Sequence, residues 1–305
     1  MKEKIIFIVG PTSMGKTETA VFLAKKMNAE IVSCDSMQLY KYMDIITSKP
    51  SRQLRRRVVH YLIDIILPQE TYDVWRYRKD AISKIKEILN KSKVPIFAGG
   101  TGLYMSILID GIFKVKSQNK NIRARLYRQA AQFGSDYLHE RLKHRDPQAV
   151  CKIHPNDTKR IIRALEVYQI TGQPISKLQR QRQGLWDKYD IRIFCLNTER
   201  HRLYQRIDER VDRMFEQGLV SEVKKLLKKN LSRTAACAIG IKELKGYFTG
   251  DYDLEEARRL IKRNTRLYAK RQLTWFRKDK RIQWIEVNHR DKPKDIAEKI
   301  WKELS

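Results

Sequence analysis

The apolar positions cluster in short unbroken runs separated by longer amphipathic stretches. Residues 5–9 (Ile5, Ile6, Phe7, Ile8, Val9) are one such run, too long without a polar break for a half-exposed strand and too short for a helix. They predict a strand buried on both faces. A glycine-containing loop follows, and a helix is predicted from about Lys16. A second strand is predicted over 30–34, a helix over 73–91, and a third strand over 94–98 that ends in Gly99, Gly100, Thr101 and Gly102. Alternation of strand and helix implies a parallel sheet covered by helices on both faces.

The pattern changes near residue 115. From there to 184 only helical periods rich in Arg, Gln and Ala occur, and a helical insertion is predicted. A strand returns at 191–196, a long helix begins near Glu199, and a last short strand is expected at 283–287. The expected organisation is an α/β core of residues 1–114 and 185–305, interrupted by a helical insertion over 115–184.

Composition adds a partner class. The 305 residues are 42% hydrophobic, enough for a real core. Lys plus Arg number 64 against 35 Asp plus Glu, a net charge of +29. Such an excess favours a polyanion, because each neutralised phosphate releases counterions. Cys34, Cys151, Cys195 and Cys237 form no Cys-x-x-Cys pair and no metal-ligand spacing with histidine, which points away from zinc and disulfides and fits a reducing cytoplasm. No apolar stretch reaches membrane-spanning length, so no membrane partner is expected, and the first apolar run is too short for a signal-peptide core.

Gly10, Pro11, Thr12, Ser13, Met14, Gly15, Lys16 and Thr17 match the phosphate-loop pattern G-x-x-x-x-G-K-[ST], between a predicted strand and a predicted helix. Backbone N–H groups of such a loop curl round phosphate oxygens. Lys16 adds a point charge, the helix N-terminus its dipole, and the Thr17 hydroxyl can hold Mg²⁺. The pattern calls for a di- or triphosphate without saying which. A phosphoryl-transfer enzyme would also end an apolar strand in a metal-binding acid. Here one strand ends in glycines and another in Asn197, and Asp35 alone stands at the carboxyl edge of the predicted sheet.

Asp35 lies in Ser33, Cys34, Asp35, Ser36, Met37, Gln38, Leu39, Tyr40. With the phosphate loop, this stretch resembles the tRNA dimethylallyltransferase (isopentenyl-tRNA transferase) family. Further segments resemble it in the same order: Met43 to Ile45 with Ser48 to Pro50; His60 to Asp64; Gly99 to Tyr104; His154 to Asp157 with Arg160, Arg163 to Glu166 and Thr171-Gly172. Arg206 to Arg210 with Met214 and Gly218, Ile239-Gly240 with Glu243, Thr265-Arg266, Ala269 to Gln272 and Trp275 complete the set. Val59 stands where the family usually has proline, and Ser13 and Met14 replace smaller or differently ordered residues.

The resemblance implies a P-loop NTPase-like fold. It implies transfer of a dimethylallyl group from dimethylallyl diphosphate to the N6 amine of the adenosine 3′-adjacent to the anticodon in tRNA, with Mg²⁺ as cofactor. It assigns Asp35, Thr17 and Arg210 to catalysis, residues 10–17 to diphosphate, Thr17 to the metal, and Asp35, Ser36, Met37, Gln38, Thr101 and Arg123 to tRNA, the helical insertion being a tRNA contact. A monomer is expected.

Three readings of the residues themselves accompany it. A carboxylate bonded to a poorly nucleophilic exocyclic amine can orient it and take its proton, although by position alone Asp35 can equally cap a turn or hold Mg²⁺ through water. On the helix from Glu199, Leu203, Ile207, Val211 and Met214 form an apolar stripe, and Arg210 falls about 20° from Leu203. That directs it inward, either to an anionic ligand or to a buried acid. Arg258, Lys262, Arg266 and Lys270 recur every four residues on one helix side, where like charges repel unless neutralised, and this side is read as a tRNA backbone contact. Trp275 and Phe276 could stack on a base and are read instead as core, since aromatics on a helix usually pack inward. The competing classes are a P-loop nucleotide kinase, an RNA-binding ATPase and a prenyltransferase for free AMP.

Overall fold

The computed structural model describes residues 2–113 and 119–304. Among them six strands form one sheet: β1 (Lys4–Val9), β2 (Ala29–Ser33), β3 (His60–Tyr61), β4 (Val94–Ala98), β5 (Asp190–Asn197) and β6 (Ile282–Glu286). The order is β3-β2-β4-β1-β5-β6 and every ladder is parallel. The expected strands are all present within a residue or so. The two-residue β3 was not foreseen, since His60 and Tyr61 are too few to show any period.

Ile5 to Val9 are at most 1% exposed, which suits β1's place between β4 and β5, with Ile6 opposite Ile96 and Val9 opposite Cys195. A strand hydrogen-bonded on both edges and covered on both faces has no position for a polar side chain. Because all strands run one way, their carboxyl ends share one edge, and the loops after β1, β2, β4 and β5 gather there. Gly10 shows how closely. It adopts φ 137°, and a Cβ would lie 2.6 Å from the Leu196 carbonyl oxygen, so only glycine lets the chain leave β1 against β5.

The helices of this part are α1 (Lys16–Met27), α2 (Arg52–Arg57), α3 (Val74–Asn90) and α4 (Gly102–Ile109) before the insertion. Asp73 caps α3 by accepting from the Arg76 amide, and Tyr77, Ala81, Ile85 and Ile88 form its buried face, as the period over 73–91 requires. After the insertion come the helices here numbered α9 (Arg200–Glu216), α10 (Leu219–Leu227), α11 (Ile241–Thr249), α12 (Leu254–Phe276) and α13 (Pro293–Leu304).

Residues from Ile109 to Leu185 form a second compact unit, wider than the predicted 115–184. The predicted boundary at Val115 lies outside the described residues. This unit holds α5 (Lys120–Arg145), kinked at Gly134, then α6 (Pro147–Val150), α7 (Thr158–Thr171) and α8 (Ile175–Arg180), around a core that includes Leu126, Leu138, Leu142, Ile161 and Leu165. Glu166 is fully buried there, and its carboxylate is met by Arg123 at 2.7 Å and Arg163 at 2.9 Å. Burial alone would raise its pKa; the two guanidinium groups hold it below the ordinary carboxylate range.

Candidate active site

A cavity of about 1180 Å³ opens at the carboxyl edge of the sheet in the first unit. Thr12 to Thr17, Asp35 to Gln38, Ser48, Arg210, Tyr268 and Gln272 all line it, although they come from stretches distant in sequence. Gly10 and Pro11 do not. Gly10 is taken up by its packing on Leu196, and the Pro11 carbonyl accepts from Lys16 Nζ at 2.7 Å. The Met14 side chain sinks into the core at 0% exposure.

Ser13 (φ 66°) and Gly15 (φ 71°) are left-handed, the alternation that turns successive amides toward one side as an anion nest. Gly15 caps α1 without a side chain, so the helix N-terminus is free of an internal acceptor. The Ser13 hydroxyl is buried with no hydrogen-bond partner among the described residues. One loop amide is committed elsewhere: Thr12 N–H donates to Gln272 Oε1 at 3.0 Å, while Gln272 Nε2 donates to the Gly100 carbonyl at 2.9 Å. This glutamine, 6% exposed, ties α12 to the phosphate loop and to the turn after β4. Its role was not read from the sequence. The available signal was one polar residue in the buried series Ala257, Ile261, Ala269, Gln272, Phe276.

Arg210 points inward, and no carboxylate among the described residues meets it. Its Nε donates to Ser48 Oγ at 2.9 Å and its Nη1 to Thr12 Oγ1. Burial lowers its pKa, opposed by the charges of Asp35 and Glu18. Lys16 is pushed down to about 8, first by burial and then by Arg210. Two half-buried cations side by side in the cavity, with no acid partner among the described residues, form a place for an anion. Arg206 and Arg213, one turn either side, line the same cavity.

Asp35 Oδ1 accepts from the Met37 amide at 2.9 Å, and its Oδ2 takes no hydrogen bond from the described residues. The carboxylate therefore caps the turn with one oxygen and keeps the other. Ser36 N–H donates to Thr101 Oγ1 at 3.0 Å, and the Thr101 hydroxyl reaches Ser36 Oγ at 3.3 Å, so the loops after β2 and β4 are joined. Gln38 accepts from Ser33 Oγ and donates to the Ser48 carbonyl. Burial pushes the Cys34 thiol up to about 12, which leaves no thiolate beside Asp35. Arg123 belongs to the second unit, where its charge is matched by Glu166.

The basic side of α12 faces acids that its own spacing did not show. Lys262 Nζ lies 2.7 Å from Asp212, Arg266 grips Asp208 with two nitrogens, and Arg258 pairs with Glu255 at 3.7 Å while covering the Phe215 ring. Of the four cations on this side, Lys262 and Arg266 meet acids on α9 and Arg258 an acid on its own helix, which relieves the like-charge repulsion within the protein, while Lys270 forms no ion pair among the described residues. Phe276 is fully buried as expected, whereas Trp275 is 36% exposed and lies over Gly102.

Residues 38–279 match the model of the family described as IPP transferase. The chain belongs to that family. The IPP transferase relatives include the tRNA dimethylallyltransferase of Carboxydothermus hydrogenoformans, 48% identical over 306 residues, covering 100% of this chain and 97% of that protein. That of Alkaliphilus oremlandii is 44% identical, covering 100% and 98%. Among solved structures, the full-length tRNA isopentenylpyrophosphate transferase of Bacillus halodurans superposes with a TM-score of 0.72 at 40% identity, covering 99% of this chain and 97% of that one. A eukaryotic dimethylallyltransferase acting on tRNA gives a TM-score of 0.78 at 30% identity, covering 93% and 74%. The IPP transferase fold is thus the P-loop NTPase-like α/β fold that the family resemblance implied, and the chain is a transferase.

Among the described residues no group of three or more His, Cys, Asp or Glu could hold a metal ion, and no helix is long and apolar enough to cross a membrane.

Proposed function

We propose that this enzyme transfers the dimethylallyl group of dimethylallyl diphosphate to the N6 amine of the adenosine 3′-adjacent to the anticodon of tRNA, releasing diphosphate. The observation that carries the reading is the shared cavity: the phosphate loop, two cations without acid partners among the described residues and the half-free carboxylate of Asp35 line one space. Asp35 Oδ2 accepts the N6 proton while the amine nitrogen bonds to the allylic carbon and the carbon–oxygen bond to diphosphate breaks. Negative charge grows on the leaving oxygens, where the loop amides, the Ser13 hydroxyl, Lys16 and Arg210 stabilise it. The net charge of +29 suits a tRNA substrate.

Mg²⁺ would be held by the Thr17 hydroxyl, which lines the cavity beside Lys16, together with the diphosphate; no carboxylate cage stands among the described residues. When bound it would neutralise charge on the leaving group. Ser36, Met37 and Gln38, which line the cavity, and Thr101, which bonds Ser36, are assigned to the extruded base; extrusion is a step that base-modifying enzymes need.

Incubation with radiolabelled dimethylallyl diphosphate and unmodified tRNA, beside a control with AMP, tests the reaction. Label in tRNA and none in AMP is the expected result. Asp35→Asn preserves size and the Met37 contact, and single-turnover transfer should fall by roughly 10²-fold or more. A rate within a few-fold of the unsubstituted enzyme would remove Asp35 as the base.

A further inference from the structure

We infer that Glu222 is a positioning residue for the diphosphate end of the cavity, acting through Ser48 on Arg210 and Gln38; this rests on the reading that Arg210 meets the diphosphate. Glu222 stands in the first turn of α10, whose Leu219, Val223 and Leu226 are buried, so the helix is held and the carboxylate leaves it in a set direction. That carboxylate accepts from three successive backbone amides. Oε2 takes Asp44 N–H at 3.0 Å and Ile45 N–H at 2.9 Å; Oε1 takes Ile45 N–H at 3.1 Å and Ile46 N–H at 2.9 Å. Charge-assisted bonds to consecutive amides hold backbone more firmly than neutral ones.

The anchored segment closes at once into a turn. Ser48 N–H donates to the Ile45 carbonyl at 2.9 Å and Lys49 N–H to the Asp44 carbonyl at 3.0 Å. Ser48 then sits at φ 44°, a left-handed state that serine keeps only when its surroundings impose it. From that state its Oγ accepts from Arg210 Nε at 2.9 Å and its carbonyl from Gln38 Nε2 at 3.4 Å. One residue thus sets both the cation assigned to the diphosphate and a side chain assigned to the base. Lys49, its side chain 2% exposed, closes the other flank by donating to the Tyr40 carbonyl and to Asp44 and Asp64.

A Glu222 that only stabilises the loop would change melting temperature and not ligand affinity. The test therefore measures binding of inorganic diphosphate with Mg²⁺ to the full chain by calorimetry, beside kcat and KM for transfer. Glu222→Gln puts an amide donor against amide donors and should weaken diphosphate binding about tenfold, with kcat falling by a similar factor. Ser48→Ala leaves the anchored amides intact and should itself weaken diphosphate binding about tenfold. In the Ser48→Ala background Glu222→Gln should add less than about twofold, as expected of two residues acting in series. Glu222→Asp, which keeps the charge, should recover part of the loss. Unchanged diphosphate affinity in Glu222→Gln or Ser48→Ala, or full additivity of the two, overturns the proposal. Unchanged affinity in Arg210→Gln would remove the diphosphate assignment of Arg210 and this proposal together, whereas loss in Arg210→Gln with none in Glu222→Gln sinks this proposal alone.

Discussion

Two sets of cations on neighbouring helices meet opposite fates. On α12, Arg258, Lys262 and Arg266 each lie beside an acid: Glu255 on the same helix, and Asp212 and Asp208 on α9. In the cavity, Lys16 and Arg210 donate to a carbonyl and to hydroxyls and form no ion pair among the described residues. Salt pairs at a half-exposed helix seam are cheap to keep and add modest stability. Cations held from water without a counter-charge are costly in the free protein and strong only when an anion arrives. On the proposed function, ligand binding belongs to the second set, and the seam to the first.

The sharpest break between them is Arg210→Gln. Transfer should slow by roughly 10²- to 10³-fold and dimethylallyl diphosphate should bind more weakly, as on removal of a donor to developing charge. tRNA affinity should stay near that of the unsubstituted enzyme. Melting temperature should hold or rise slightly, because no acid is stranded and an unpaired inward charge is gone. Melting and ligand affinity measured on the same variant check both halves, and a fall in stability with unchanged affinity would assign Arg210 to the fold.

The same contrast explains what the sequence could show. The runs over 5–9, 94–98 and 191–196 predict the sheet because burial on both faces leaves only apolar positions. The inward direction of Arg210 was legible because a helix period relates it to Leu203 and Val211 on its own helix. The partners of a charge are not local. Asp208 and Asp212 lie fifty or more residues from Arg266 and Lys262, so the α12 stripe showed its cations and hid its acids. Gln272, 260 residues from Thr12, and Glu222, 176 to 178 residues from its amides, were hidden for the same reason. Arg123 reads as a surface arginine until Glu166 folds under it.

Lys16 provides a smaller effect with a definite sign. In the free enzyme it loses its proton near 8, against an ordinary lysine at 10.5, chiefly through burial. A bound diphosphate favours the charged form, so above pH 8 binding must draw a proton onto Lys16. Dimethylallyl diphosphate affinity, measured without tRNA, should be flat just below pH 8 and fall by up to about tenfold per unit above it. Calorimetry at pH 8.5 in buffers of different ionisation enthalpy should register proton uptake. Stability of the free protein should move the other way. The unfolded lysine keeps its proton up to 10.5, so between 8 and 10.5 the unfolded state binds more protons and this contribution to stability rises with pH. Lys16→Met should remove both trends, and a pH-independent affinity would show that Lys16 stays charged in the free cavity.

The smallest effect separates the seam from the tRNA surface. Arg266 and Asp208 have side chains 37% and 30% exposed, so solvent screens their attraction, and even a two-nitrogen grip is worth only about 0.5–1 kcal/mol. Arg266→Gln should therefore lower the melting temperature by roughly 1–3 °C in a chain of this size. It should leave dimethylallyl diphosphate affinity unaltered, the mirror image of Arg210→Gln. The decisive readout is salt. A lysine or arginine on a tRNA phosphate contributes about 0.7–0.9 to the slope of log affinity against log salt. Joint substitution of Arg258, Lys262 and Arg266 by glutamine would flatten that slope by about two to three units if all three met phosphates. Because their charges are already met by Glu255, Asp212 and Asp208, releasing no counterions on tRNA binding, the slope should change by less than about one unit. A flattening of two or more would mean that the pairs open in the complex and that the acids of α9 merely hold the basic side of α12 until tRNA replaces them.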